Sequence, residues 1–267
     1  MIFADLNLAR KLEHNDAILC GEYARAHAQI YPEAAATSMQ IMGGYATYAG
    51  ADSPITQAFG LGLSGEVSEA ELITLEDFYR SRNASVNIEL CPLADAGLLK
   101  LLMQRGYRIT EYSNALFNDL QTIPAINVEA VVRIPDNYED ELWSRIITLG
   151  FTEAEEPAPA MMEVAATMFH TKISVPFLVE IDNKPAGGGA VSVHDHIADF
   201  YAQATLPAFR GRGAQTALIQ AGLTFAASQG CGLAMATTLC GSISQRNFER
   251  QGFRIAYTRT KLIREWS

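Results

Sequence analysis

Residues 197–230 read IADFYAQATLPAFRGRGAQTALIQAGLTFAASQG, a strand, a sharp loop and an amphipathic helix in that order. In IADFYAQAT the period-2 pattern puts Asp199, Tyr201, Gln203 and Thr205 on one face and Phe200, Ala202 and Ala204 on the other. Pro207 has no N–H to give to a ladder, so strand pairing ends there. The loop Arg210-Gly211-Arg212-Gly213 follows, and its glycines, lacking a Cβ, let the backbone turn tightly and lie directly against a ligand. From Ala214 the apolar positions Ala217, Leu218, Ala221 and Phe225 recur at helical spacing until Gly230 stops the helix.

Such a junction favours an anion. The first helical turn has N–H groups without intrahelical acceptors, and the aligned peptide dipoles add partial positive charge. Arg210 and Arg212 raise the local potential further, in a chain whose net charge is −10. A phosphate or pyrophosphate is the natural occupant.

The segment PAFRGRGAQTAL also resembles the acetyl-CoA-binding loop of the GNAT superfamily of N-acetyltransferases, whose pattern is Gln/Arg-x-x-Gly-x-Gly/Ala. Arg210 and Gly213 match the first two anchors, while Gln215 stands where Gly or Ala is usual. Downstream, SISQRNFERQGF resembles the last helix of that family and the Gly-Phe that opens its next strand. The resemblance covers roughly the C-terminal half. It implies an α/β fold of the mixed-sheet, α+β kind, with acetyl-CoA as acyl donor. Gln203, Ala204 and Thr205 would hold the pantetheine arm and the thioester. The N–H groups of Gly211, Arg212, Gly213, Ala214, Gln215 and Thr216 would hold the pyrophosphate, with Arg210 beside them, and Asn247 would hydrogen-bond the arm.

A chain of 267 residues suffices for two domains, and 49% hydrophobic with 19% charged residues is ordinary globular usage. The acidic balance argues against nonspecific nucleic-acid binding and is compatible with an amine substrate. Cys20, Cys91, Cys231 and Cys240 have no metal-site spacing and read as reduced, partly buried thiols of a cytosolic protein. Charges in MIFADLNLARKLEHND leave no apolar run for a secretion signal, and no segment of bilayer-spanning length is free of charge. We therefore expect a cytoplasmic protein without nucleic-acid or membrane partners, as monomer or homodimer.

Along the chain, periodicity predicts a helix from Asp5 to about Tyr31, strand-like pieces over 39–50 and 53–65, and a helix opened by the Ser68–Glu71 capping box. A strand over 84–90, a helix over 95–104 and a strand over 107–117 follow. A polar break carrying Pro124 suggests a boundary, giving domains 1–121 and 126–267. The second half restarts with strand 128–134, a helix presenting Trp143, Ile146 and Ile147, a second helix over 161–170, and a hairpin turning at Asp182-Asn183-Lys184. After the strand, loop and helix already described come strand 232–239, a helix from Ser242 to Arg250 and a final strand.

The two halves echo each other. Cys91 corresponds to Cys240, and Gly106-Tyr107-Arg108-Ile109 to Gly252-Phe253-Arg254-Ile255. The simplest interpretation is a tandem duplication, two GNAT-like domains in one chain. Where the second copy has Arg210-Gly211-Arg212-Gly213, the first has Gly62-Leu63-Ser64-Gly65-Glu66, with no arginine and a carboxylate that repels phosphate. The first copy is thus similar to a degenerate GNAT domain, and only the second is expected to bind cofactor.

For chemistry, Asp199 is the general-base candidate, six residues before Thr205. His194, Asp195 and His196 offer no third metal ligand beyond the turn, and no metal is expected. Many relatives carry a tyrosine four residues before the Gly-Phe to protonate the leaving thiolate; here that position is Phe248, which has no proton to give. Water, Tyr257 or Tyr201 would take that role, or the site is not catalytic. The expectation is an acetyl-CoA-dependent N-acetyltransferase acting on a small amine or a protein amino group. The alternative is a non-catalytic acyl-CoA-binding regulatory or scaffolding protein.

Overall fold

The computed structural model describes residues 2–121 and 130–266. The break around Pro124 and the start of the strand expected over 128–134 lie outside the described residues. In chain order the elements are α1 (Leu6–Ile30), β1 (Thr37–Ile41), β2 (Gly44–Tyr48), β3 (Gln57–Phe59), α2 (Glu69–Arg80), β4 (Val86–Leu90), α3 (Ala96–Gln104) and β5 (Arg108–Asn118). There follow β6 (Val131–Arg133), α4 (Asp140–Thr152), α5 (Pro159–Phe169), β7 (Ser174–Ile181), β8 (Lys184–His194), β9 (Ile197–Thr205), α6 (Ala214–Ser228), β10 (Leu233–Leu239), α7 (Ile243–Arg250) and β11 (Arg254–Arg264).

Two compact units form, and their division corrects the expected 1–121 and 126–267. Met1–Ala115 joins Ile255–Ser267 in the first unit, and Leu116–Arg254 makes the second. The reason is strand pairing. β11 lies antiparallel on β4, from Thr260 opposite Leu90 to Arg264 opposite Val86, and Leu262 is fully buried in the core of the first unit. A strand needs an edge to pair with, and the edge β11 takes belongs to the unit farther back in the sequence.

Within the first unit, β3 and β4 are parallel and joined through α2, while β1, β2 and β3 form an antiparallel meander. Leu72, Leu75 and Tyr79 of α2 pack with Val86, Ile88, Leu98 and Leu102. The capping box at α2 is formed: Ser68 Oγ accepts from Glu71 N, and Glu71 Oε2 accepts from Ser68 N at 2.9 Å. Helix α1 buries Leu8, Leu12 and Ala17 as its spacing predicts, and it also buries Glu13 and Asp16. These carboxylates receive Arg259 of β11, itself fully buried, with Arg259 Nε 2.6 Å from Glu13 Oε1.

In the second unit the strand order is β10-β9-β8-β7-β6, with β9 and β10 parallel and joined through α6 and the rest antiparallel. The parallel pair with its crossover helix therefore occurs in both units, as the internal echo predicts. Asp182 and Asn183 take positive φ in the β7–β8 hairpin turn, a conformation these residues tolerate well. One layer, led by Phe177, Val191, Phe200, Leu218, Ile219 and Leu223, packs α6 on the sheet. The other face carries Trp143, Ile146, Ile147, Phe169, Leu178 and Ala204, covered by α4 and α5. Trp143 Nε1 donates to Phe177 O at 3.0 Å, so the buried indole is satisfied.

Cys20, Cys91 and Cys231 are buried free thiols and Cys240 is exposed. Burial pushes the Cys91 thiol up to about 12. Among the described residues, no helix is long and apolar enough to cross a membrane, and no group of three or more His, Cys, Asp or Glu side chains is placed to hold a metal ion.

Candidate active site

The strand that leads into the loop does not keep its phase. Ala190 pairs with Tyr201 and Gly188 with Ala204, so Ala202 and Gln203 together face Gly189. Ala202 adopts φ +53°, the backbone signature of this bulge. The expected single face of Asp199, Tyr201, Gln203 and Thr205 is thereby corrected. Ala204 turns to the α4 layer, and Gln203 turns to the cleft. Gly189 makes room for the bulge: a Cβ there would stand 2.4 Å from Gln203 Nε2. The side-chain oxygen of Gln203 is buried and receives no donor.

After β9, Pro207–Phe209 makes one short 3-10 turn and the loop swings into α6. Gly211 takes φ +75° and Gly213, the N-cap, φ +85°, both in the left-handed region that favours glycine. No side chain caps α6. Among the described residues, none of the backbone N–H groups from Gly211 to Thr216 donates to a protein acceptor; the first amide bonded is Ala217 N, to Gly213 O at 2.9 Å. A 15-residue helix thus points its positive end and a row of unmatched donors outward.

These donors line a cleft of about 590 Å³, a size suited to a small ligand or cofactor. Gln203, Ala204, Thr205, Arg210, Gly211, Gly213, Ala214, Gln215, Thr216 and Asn247 all line it. Arg212 does not: its guanidinium reaches Asp182 at 2.7 Å and lies over the Phe209 ring. Arg210 lines the cleft but is ion-paired, Nη1 to Glu153 Oε1 at 2.6 Å, with Nη2 donating to Gly150 O at 3.1 Å. The two loop arginines therefore brace the loop, and much of their charge is matched by carboxylates.

The Gln215 departure has a structural explanation. Its side chain turns away from the amide row toward α7, donating to Ser244 Oγ at 2.9 Å and accepting from Asn247 Nδ2 at 2.7 Å. Close approach to the backbone is left open, and the first turn of α6 is tied to the cleft wall opposite.

The candidate acid–base residues fare differently. Asp199 is only 2% exposed, pairs with Ser192 across β8 and does not line the cleft. Tyr257 belongs to the first unit, where its hydroxyl donates to Glu13 Oε1 at 2.8 Å, so it is corrected from a site residue to an interior one. Burial, with Glu13 alongside, pushes its phenol well above the usual tyrosine range. Tyr201 is turned to α5, donating to Met168 O. Phe248, 1% exposed, packs edge-to-face on Phe253 at 4.9 Å and Phe200 at 6.0 Å between ring centroids. It belongs to the core rather than the cleft.

Sequence reasoning missed Ile243, Ser244, Arg246 and Arg250, which line the cleft from α7. The available signal was their helical spacing with Asn247, which puts all five on adjoining positions of one side.

The start of α2, in the first unit, is closed by its own groups. Asp95 Oδ2 accepts from Val67 N at 3.1 Å, Ser68 Oγ caps Glu71 N, and Arg10 Nε donates to Leu63 O.

Comparison with known proteins places this geometry. Residues 141–253 match the model of the acetyltransferase (GNAT) family. No curated protein matches the chain. Among solved structures, a GCN5-related N-acetyltransferase from Kribbella flavida superposes with a TM-score of 0.63 at 16% identity, over 91% of this chain and 96% of that one. A tandem GNAT protein from the clavulanic acid biosynthesis pathway, solved without AcCoA, does so with a TM-score of 0.60 at 12% identity, over 99% and 97%. A GCN5-related N-acetyltransferase from Sphaerobacter thermophilus gives 0.58 at 14% identity, over 78% and 71%. The chain thus has the fold of the GCN5-related N-acetyltransferases, and its residues 141–253 carry the match to the acetyltransferase (GNAT) family.

Proposed function

We propose that this protein is an acetyl-CoA-dependent N-acetyltransferase whose second unit binds the donor and whose acceptor is a small amine or a protein amino group. The observation that carries the proposal is the row of unpartnered amides from Gly211 to Thr216 at the mouth of the cleft. Buried or cleft-lining donors without acceptors are costly unless a ligand or water meets them, and a diphosphate meets several at once. Acetyl-CoA, when bound, supplies an acyl group already activated as a thioester.

Gln203, Ala204 and Thr205 lie where the pantetheine arm would run. Asn247, held by Gln215, fixes the opposite wall. With Asp199 and Tyr257 inside the protein, proton transfer falls to solvent. A neutral amine attacks the carbonyl carbon, a C–N bond forms, the C–S bond breaks, and the ammonium proton leaves to water while the thiolate departs. A thiol needs little acid assistance to leave, since its pKa is far below that of an alcohol. The first unit is proposed to be a degenerate copy, because the carboxylate of Asp95 and the cap at Ser68 fill the place that a phosphate would take.

A second reading, a non-catalytic acyl-CoA-binding protein, has one observation behind it: Phe248 in the core leaves the cleft without the phenol that many relatives use.

Calorimetric titration with acetyl-CoA tests the binding step. Thr216→Asp sets a carboxylate in the amide row at the third helical position, where it suits the helix start and repels a diphosphate. We expect affinity to fall at least tenfold with melting behaviour retained, while Glu66→Gln in the first unit changes nothing. Equal loss in both variants, or in Glu66→Gln alone, overturns the assignment. Thiol release from acetyl-CoA with a panel of amines separates the two readings: tight binding without release on any amine favours the second.

A further inference from the structure

Arg246 and Arg250 stand apart from the other arginines of this acidic protein. Each of the others in the described chain is ion-paired or donates to a carbonyl oxygen: Arg25, Arg80, Arg105, Arg108, Arg133, Arg145, Arg210, Arg212, Arg254, Arg259 and Arg264 to carboxylates, Arg10 and Arg82 to backbone. Among the described residues, Arg246 and Arg250 have neither, and both line the cleft that holds the amide row. They sit four residues apart on α7, about 6 Å along its axis, on the same stretch of helix as Ser244 and Asn247. Among the described residues, the only carboxylate lining the cleft, Glu153, is already taken by Arg210.

Two unmatched guanidiniums one turn apart repel each other, in an acidic chain with many carboxylates able to neutralise them. Their arrangement suits one dianionic group with several oxygens accepting from two forks. The diphosphate of the donor is monoanionic at each phosphorus and is already matched by the amides of Gly211 to Thr216. The remaining charge of coenzyme A is the phosphomonoester on its ribose, near −2 at neutral pH.

Resting on the acetyl-CoA reading above, we infer that Arg246 and Arg250 form the binding point for the ribose 3′-phosphate, so that this protein selects coenzyme A over its dephosphorylated form. The residues act in recognition, away from the reacting thioester. The charge they supply replaces what Arg210 and Arg212 spend on Glu153 and Asp182.

The test is calorimetry on the full chain with coenzyme A and with dephospho-coenzyme A, for the wild type and for Arg246→Gln/Arg250→Gln. The wild type is expected to bind coenzyme A at least tenfold more tightly, with the gap narrowing as salt rises. The double variant should bind dephospho-coenzyme A as the wild type does and lose the preference; Arg246→Lys/Arg250→Lys should keep part of it. Both substitutions are on exposed side chains, and an unchanged melting temperature verifies folding. Equal wild-type affinity for the two ligands, or a preference that survives the double glutamine variant, refutes the inference while leaving the acetyl-CoA reading intact. Failure of the wild type to bind either ligand refutes both.

Discussion

Replacing Phe248 with tyrosine would restore the phenol that the GNAT resemblance expects four residues before Gly252-Phe253, and the structure says this will harm the protein without helping the reaction. The Phe248 ring is 1% exposed and wedged between Phe200 and Phe253, with interplanar angles of 89° and 76°. Asn247 and Ser244 on the same helix line the cleft, whereas Phe248 does not. A hydroxyl placed there enters an apolar cluster. Burying a hydroxyl without a partner costs about 1–3 kcal/mol in proteins. For a chain of this size each kcal/mol corresponds to roughly 2–4 °C, so the expected drop in melting temperature is roughly 2–12 °C. Differential scanning calorimetry gives that figure, and thiol release from acetyl-CoA gives the rate on the same sample. The reasoning predicts a lower melting temperature with no gain in turnover. A variant that melts with the wild type and turns over faster would mean that the ring edge reaches the cleft, and the core assignment would be wrong.

Two further outcomes follow from the first unit. Arg259→Met should cost about 3–5 kcal/mol, because it leaves the buried carboxylates of Glu13 and Asp16 without their counter-ion; urea denaturation reads this, and Glu13→Gln/Asp16→Asn in the same background should recover part of the loss. Burial pushes Glu76 up, but the guanidiniums of Arg105 and Arg264 outweigh it and hold its carboxyl below the ordinary 4.5. A depressed folded-state pKa stabilises fully above the unfolded value and fades as pH falls through the folded one. The stability gap between wild type and Glu76→Gln should therefore be widest above about pH 5 and close toward acid; a gap that widens in acid contradicts the assignment.

Much of the loop and helix start that line the cleft was legible in the chain because it depends on local chemistry. Pro207, the paired glycines and the apolar period after Ala214 fix a strand, a loop and an uncapped helix start within 34 consecutive residues, and the amides they expose are backbone groups that need no particular side chain. The Ser68–Glu71 capping box and the Asp182-Asn183 turn are equally local, and both formed.

The strand face was misread because a bulge at Ala202 costs one residue of phase, and only pairing with the glycines of β8 permits it. The loop arginines were assigned to a ligand because their partners Glu153 and Asp182 lie 57 and 30 residues away. Arg246 and Arg250 could have been placed beside Asn247 by their spacing on α7, but nothing along the chain says that they lack a partner.

What the sequence determined by itself is the glycine loop with its uncapped helix start and the repeated strand–helix–strand plan, since these are set by steric freedom and periodicity over a few neighbours. Tertiary structure alone decided which unit receives the last strand, and with it that Tyr257 lies in the interior of the first unit, 244 residues from its partner Glu13. Ladder pairing and charge burial are contests among distant segments, and their winner is known only once the whole chain has folded.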